Sequence, residues 1–109
     1  MATAIIEITG RHKGITETMR DYALSKVQRA IDDCVKIENV HIILDIQKYR
    51  HIAEIVVQGR DHLRFEVREI SDDMCASIDL VADKVEQRLH KLKDKKVEKR
   101  LRAGKETLK

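Results

Sequence analysis

The chain has no Trp, one Phe and two Tyr in 109 residues, so aromatics make up 3% and any core it builds must be aliphatic. It has only four Gly. No Gly-rich phosphate cradle, P-loop or GxSxG nucleophile turn is found, and nothing in the motifs points to an enzyme, a cofactor or a small-molecule substrate. Two Cys, Cys34 and Cys75, lack CxxC spacing and make no disulfide framework. Both fall on apolar helical stripes, where a thiol serves as small core filler. No apolar run approaches the roughly 20 residues of a membrane span. The first residues show none of the basic region, apolar segment and small-residue cleavage site of a secretory signal, so a cytoplasmic protein is expected.

What is present is charge, sorted along the chain. Residues 1–83 carry 11 Lys and Arg against 15 Asp and Glu, whereas residues 84–109 carry 11 against 4. An acidic body with a basic end suggests a polyanionic partner, most often nucleic acid. The apolar share of 42% suffices for one core, so one domain is expected over 1–102, followed by a mobile basic tail over 103–109.

Ala4 to Thr9, with Ile5, Ile6 and Ile8, reads as a strand closed by Gly10. Thr16 suits a helix N-cap, with Glu17 in the first turn where the dipole favours an anion. Met19, Ala23, Val27, Ala30, Ile31 and Cys34 trace the apolar face of that helix; Tyr22, Lys26 and Arg29 share another side. Asn39 to Lys48 alternates, with Val40, Ile42, Leu44 and Ile46 on one face. A turn is expected at Tyr49–His51, a strand over 52–58 with Ala53, Ile55 and Val57 inward, and a hairpin turn at Gly59–Asp61. A further strand over 62–69 follows, with Leu63, Phe65 and Val67 inward. Ser71 or Asp72 then caps a long helix whose seam is Cys75, Ile78, Ala82, Val85, Leu89 and Leu92. Lys84, Arg88, Lys91, Lys95 and Arg102 form a second stripe flanking that seam.

The order β-α-β-β-β-α implies an α+β fold: a four-stranded mixed sheet with two helices packed on one face. Lys84, Arg88, Lys91 and Lys95 repeat at the helical period, which suits successive phosphates along a backbone better than base readout. Tyr22 could stack on an unpaired base, but packing between the helices is the expected role of its ring. His41, His51 and His62 lack ligand spacing and are expected as surface residues. Asp45 and Glu54 could face each other as an acid/base pair; outward carboxylates among Arg residues are more simply a solvated face. A protein-interaction module working through the outer sheet face, with Ile43 and Val56 exposed, is the alternative function.

Several stretches together resemble the ribosome hibernation promoting factors, also called ribosome-associated inhibitor A or sigma-54 modulation proteins. They are Ile6-x-Ile8-Thr9-Gly10-Arg11, Ile15-Thr16-Glu17-x-Met19-Arg20, His41-Ile42-Ile43-Leu44, Asp73-Met74 with Ala76, Ile78 and Asp79, and Asp83-Lys84-Val85-Glu86 with Leu89 and Lys91. The resemblance runs over residues 4–96. It implies binding to the small ribosomal subunit in the messenger and transfer RNA channel, which silences idle ribosomes in stationary phase or stress. The cations that match, and so are expected to contact ribosomal RNA, are Arg11, Arg20, Lys26, Arg29, Lys84, Lys91, Lys93 and Lys95. Arg88 joins them through its place on the stripe, although Gln87-Arg88 reverses the family's usual Arg-Gln order. Cys75 stands where an aromatic is common, and Ile70 where small residues are. The chain resembles the short members, for which ribosome dimers would need a separate modulation factor.

Overall fold

Alternating sequence becomes sheet where one face of every strand can be covered, and here four strands share one cover. In the computed structural model, residues 4–32 and 36–105 are described, 92–105 by their backbone alone. Strands β1 (Ile5–Gly10), β2 (Ile37–Gln47), β3 (Arg50–Gly59) and β4 (Arg64–Ser71) lie side by side in that order. β1 runs parallel to β2, and the other two ladders are antiparallel. Helix α1 (Glu17–Ile31) makes the crossover, and α2 (Met74–Lys105) follows β4. The expected mixed sheet and β-α-β-β-β-α order are adopted.

The core is one aliphatic cluster. Val40, Ile42 and Leu44 of β2 oppose Val57, Ile55 and Ala53 of β3, and Phe65 and Val67 of β4 extend the same rows. Ala23, Val27 and Ile31 of α1 and Ile78, Val81 and Val85 of α2 close over them. α1 packs on β1, α2 on β3 and β4, and the two helices on each other. Thr16 caps α1 as expected, its hydroxyl accepting from the Met19 N–H at 3.2 Å.

Several boundaries shift for identifiable reasons. The β2–β3 connection is the two-residue loop Lys48–Tyr49, with Lys48 at φ 60°, so β3 begins at Arg50 and His51 pairs with Ile46 in the ladder. The next turn centres on Asp61 and His62, at φ 59° and 65°, with the Leu63 N–H donating to the Arg60 carbonyl at 3.1 Å. Two left-handed central residues match the twist of the flanking strands, which a turn centred on Gly59–Asp61 would not. Gly59 stays in β3, where a Cβ would collide with the Lys36 carbonyl. The later turn places β4 over Arg64–Ser71, so the inward row continues from Phe65 and Val67 to Glu69 and Ser71.

Asp73, rather than Ser71 or Asp72, caps α2. Its carboxylate accepts from the Ala76 N–H at 3.0 Å, while the Ser71 hydroxyl donates to the Asp73 carbonyl at 2.7 Å. The helix starts at Met74, which is buried together with Ser77 and Val81. Cys75 lies to one side of that line and is exposed, not core filler. Helix α1 ends at Ile31, with the Asp32 N–H bonded to the Arg29 carbonyl. Cys34, residues 106–109 of the expected tail, and the side chains of Leu92 and of 103–105 lie outside what the structure describes.

Candidate nucleic-acid interface

The flank of α2 carrying Lys84, Arg88 and Lys91 turns toward β4, which is an edge strand. All three residues are exposed. The Lys84 ammonium lies 2.6 Å from the Glu69 carboxylate. One turn further on, the Arg88 guanidinium lies over the Phe65 ring, 4.7 Å from its centroid. A strand therefore steers the two cations from below. Lys95 continues the sequence period and Lys93 falls half a turn off it; the side chains of both lie outside the described residues.

The opposite flank of α2 serves the other helix. The Tyr22 hydroxyl donates to Asp79 Oδ1 at 2.6 Å, and Lys26 Nζ lies 3.4 Å from the same oxygen. Lys26 also sits 5.8 Å from the Tyr22 ring centroid. The bond to Asp79, aided by burial and by that carboxylate's charge, pushes the Tyr22 phenol up to about 12. Tyr22 thus packs between the helices, as expected, and Lys26 spends its charge there too.

The first-helix cations do not form one patch. Arg20 and Arg29 are nine residues apart, half a turn out of phase at 100° per residue. Arg29 is exposed, whereas Arg20 reaches over the end of β1, where a Cβ on Gly10 would come within 3.0 Å of its Nη2. Arg11 is exposed just beyond β1, its N–H donating to the Leu44 carbonyl. The structure therefore brings Lys84, Arg88 and Lys91 to one flank, Arg11 and Arg20 to the end of β1, and Lys26 to the helix pair.

Sequence reasoning missed Glu69, Phe65 and Asp79 as partners of these cations. The signal for Glu69 was the phase of β4: carried two residues past Val67, the inward row reaches a carboxylate, which requires a cation above it.

The remaining candidates resolve locally. Asp45 and Glu54 are not opposed: Asp45 pairs with Ile52 and Glu54 with Ile43, and Asp45 Oδ1 accepts from the Ile46 N–H at 2.8 Å. His41 Nε2 lies 2.7 Å from the Thr9 hydroxyl, and His62 occupies the β3–β4 turn. His51, like His41, is half-buried, not a surface residue. Its carbonyl accepts from the Ser77 hydroxyl at 2.6 Å, and its Nδ1 is buried with no hydrogen-bond partner. Among the described residues no three His, Cys, Asp or Glu are grouped to hold a metal ion, and no helix is long and apolar enough to cross a membrane. On the outer sheet face Ile43 and Val56 are half-buried rather than exposed, each flanked by polar neighbours on adjoining strands: Thr9 and Glu54, His41 and Glu66.

Residues 6–97 match the family model described as Sigma 54 modulation protein / S30EA ribosomal protein. The ribosome hibernation promoting factor of Pseudomonas putida is 35% identical over 92 residues, which cover 83% of this chain and 87% of that protein. The factor of the same name from Escherichia coli K12 is 30% identical over 93 residues, covering 83% and 94%. Among solved structures, a ribosomal subunit interface protein from Coxiella burnetii is similar with a TM-score of 0.73 at 32% identity, over 82% of this chain and 97% of that one. The N-terminal domain of Protein Y from Thermus thermophilus is similar with a TM-score of 0.71 at 26% identity, covering 83% and 99%.

Proposed function

This chain belongs to the Sigma 54 modulation protein / S30EA ribosomal protein family, and we propose that it acts as a ribosome hibernation factor, the role for which its relatives are named. In this proposal it binds the small ribosomal subunit in the messenger and transfer RNA channel under stress or in stationary phase. Binding alone keeps an idle ribosome from initiating; no bond is made or broken. The supporting observation is the exposed Lys84–Arg88–Lys91 flank of α2, which stands beside an open sheet edge in a chain whose remaining described surface is of mixed charge.

Side chains recurring about every 5.4 Å along a helix can follow a phosphate backbone, and each phosphate neutralised releases counterions. By helical period Lys95 falls on this row, whereas Lys93, nine residues from Lys84, falls half a turn away and is proposed only because it matches the family's cations. Arg11, Arg20 and Arg29 lie on other sides of the domain, so RNA that meets them must surround it, as the walls of a channel do. Lys26, already paired with Asp79, contributes less. A separate modulation factor would join two such ribosomes.

The test is sucrose-gradient sedimentation of the protein with ribosomes at low and at moderately high salt. Comigration with small subunits that fades as salt rises is expected, with a log–log slope of about −0.7 to −0.9 per phosphate contact. A quadruple Lys84→Glu, Arg88→Glu, Lys91→Glu, Lys95→Glu variant should stay at the top of the gradient while its circular dichroism remains that of the folded protein. Comigration of that variant would exclude the α2 flank. Absence of wild-type comigration at every salt would exclude the proposal.

A further inference from the structure

The only Phe of the chain lies beneath the only Arg of the Lys84–Lys91 flank, and that pairing suggests more than charge. Phe65 is 7% exposed and faces α2 from the edge strand, and Arg88 lies across its ring. The guanidinium carbon stands 4.7 Å from the ring centroid, so Phe65 backs the guanidinium on its core side, and a planar guanidinium can stack on flat groups. Arg88 is exposed, so its solvent side is open to a ligand.

We infer that Arg88, laid on Phe65, is a stacking surface for an unpaired nucleobase. The inference rests on the RNA-binding proposal above and specifies the ligand at one position of the same flank. Phosphates have better partners on either side: Lys84 one turn before and Lys91 one turn after are compact point charges on the same stripe. Lys84 is also held in place by Glu69. With Lys84 and Lys91 left to meet the phosphates, the guanidinium between them is the one group of the flank that can take a base instead. Unpaired bases stack on Arg planes as they do on aromatic rings. Lysine has no plane, so it cannot substitute. Phe65 does not touch the base; it is a positioning residue that backs the guanidinium from the core side.

Arg88→Lys separates stacking from charge, because it keeps the cation and removes the plane. Its affinity for small ribosomal subunits should fall about tenfold, within the range for loss of one stacked base, with the salt slope unchanged. Phe65→Leu, which keeps an apolar core side chain, should weaken binding with the same unchanged slope. The double variant should be no weaker than Arg88→Lys alone, because the ring acts only through the guanidinium. Wild-type affinity in Arg88→Lys would overturn the stacking role and leave a phosphate contact, while the RNA-binding proposal stood. Failure of the wild-type protein to bind would overturn both. Arg88 is exposed, so its exchange is not expected to unfold the domain, and the outcome does not depend on the stability of Phe65→Leu.

Discussion

Lys84 Nζ lies 2.6 Å from Glu69 Oε2, and the two residues belong to different elements: the cation is 56% exposed on α2, the carboxylate 19% exposed on the inward row of β4. The pair fixes where the ammonium sits and also cancels part of its charge, so a phosphate must compete with Glu69 for it. Glu69→Gln should therefore tighten RNA binding and steepen its salt dependence by up to about 0.7 to 0.9 per released cation. Half-exposed pairs are worth roughly 0 to 1 kcal/mol, so folding should change by no more than that. Affinity against salt concentration, measured for both proteins, decides the matter; unchanged affinity and slope would mean that Glu69 does not compete with a phosphate for Lys84.

The Tyr22–Asp79 bond ties the helices in a pH-dependent way. With the folded phenol raised to about 12 from its ordinary 10.0, first by the bond to Asp79, the proton is held more tightly in the folded state than in the unfolded chain. The bond's contribution to stability is then complete below pH 10 and is lost as pH climbs from 10 to about 12. Ultraviolet titration should show one tyrosine ionising near 12, and Tyr22→Phe should remove that step. The same variant should melt at a lower temperature at neutral pH, with the difference shrinking toward pH 12.

Ser77 is a polar side chain fully shielded in the core, and its hydroxyl joins three elements. It donates to the His51 carbonyl on β3 at 2.6 Å and lies 2.7 Å from the Ser71 hydroxyl at the end of β4. Ser77→Ala leaves the half-buried His51 carbonyl without this donor, which costs about 1 to 3 kcal/mol. Urea unfolding should show a lower midpoint with an unchanged slope.

Asp73 starts α2 by accepting from the Ala76 N–H. Asp73→Ala should destabilise the domain by about 1 kcal/mol, and Asp73→Asn, which keeps the accepting oxygen, by much less. Chemical denaturation of the two variants side by side checks this. Equal losses would mean that the carboxylate's charge, not its geometry, matters.

The strands were legible because alternation repeats over many residues, and Val40–Ile42–Leu44 and Ala53–Ile55–Val57 left one choice of inward face. The Thr16 cap was legible because it stands alone before an amphipathic run. Asp73 was not, because Ser71, Asp72 and Asp73 are all capping types, and only the geometry of the first turn selects among them. Arg88 could be placed on a stripe by counting. That the stripe overlies Phe65 and Glu69 depends on how α2 crosses the sheet, which no period within one element specifies. Lys26 was expected at RNA through the family resemblance; that it also pairs with Asp79 on the other helix was hidden for the same reason.

The parallel β1–β2 ladder also sets an order of assembly. β2 and β3, and β3 and β4, pair across short loops that close early, whereas β1 must wait for α1 and most of β2: Ile5 meets Asn39 and Gly10 meets Leu44. The strand synthesised first is among the last to dock. Until residue 44 has emerged from the ribosome, Ile5, Ile6 and Ile8 travel with no ladder to join. In the finished protein, amide exchange in β1 should outpace exchange in β2 and β3, because it has a ladder on one side only.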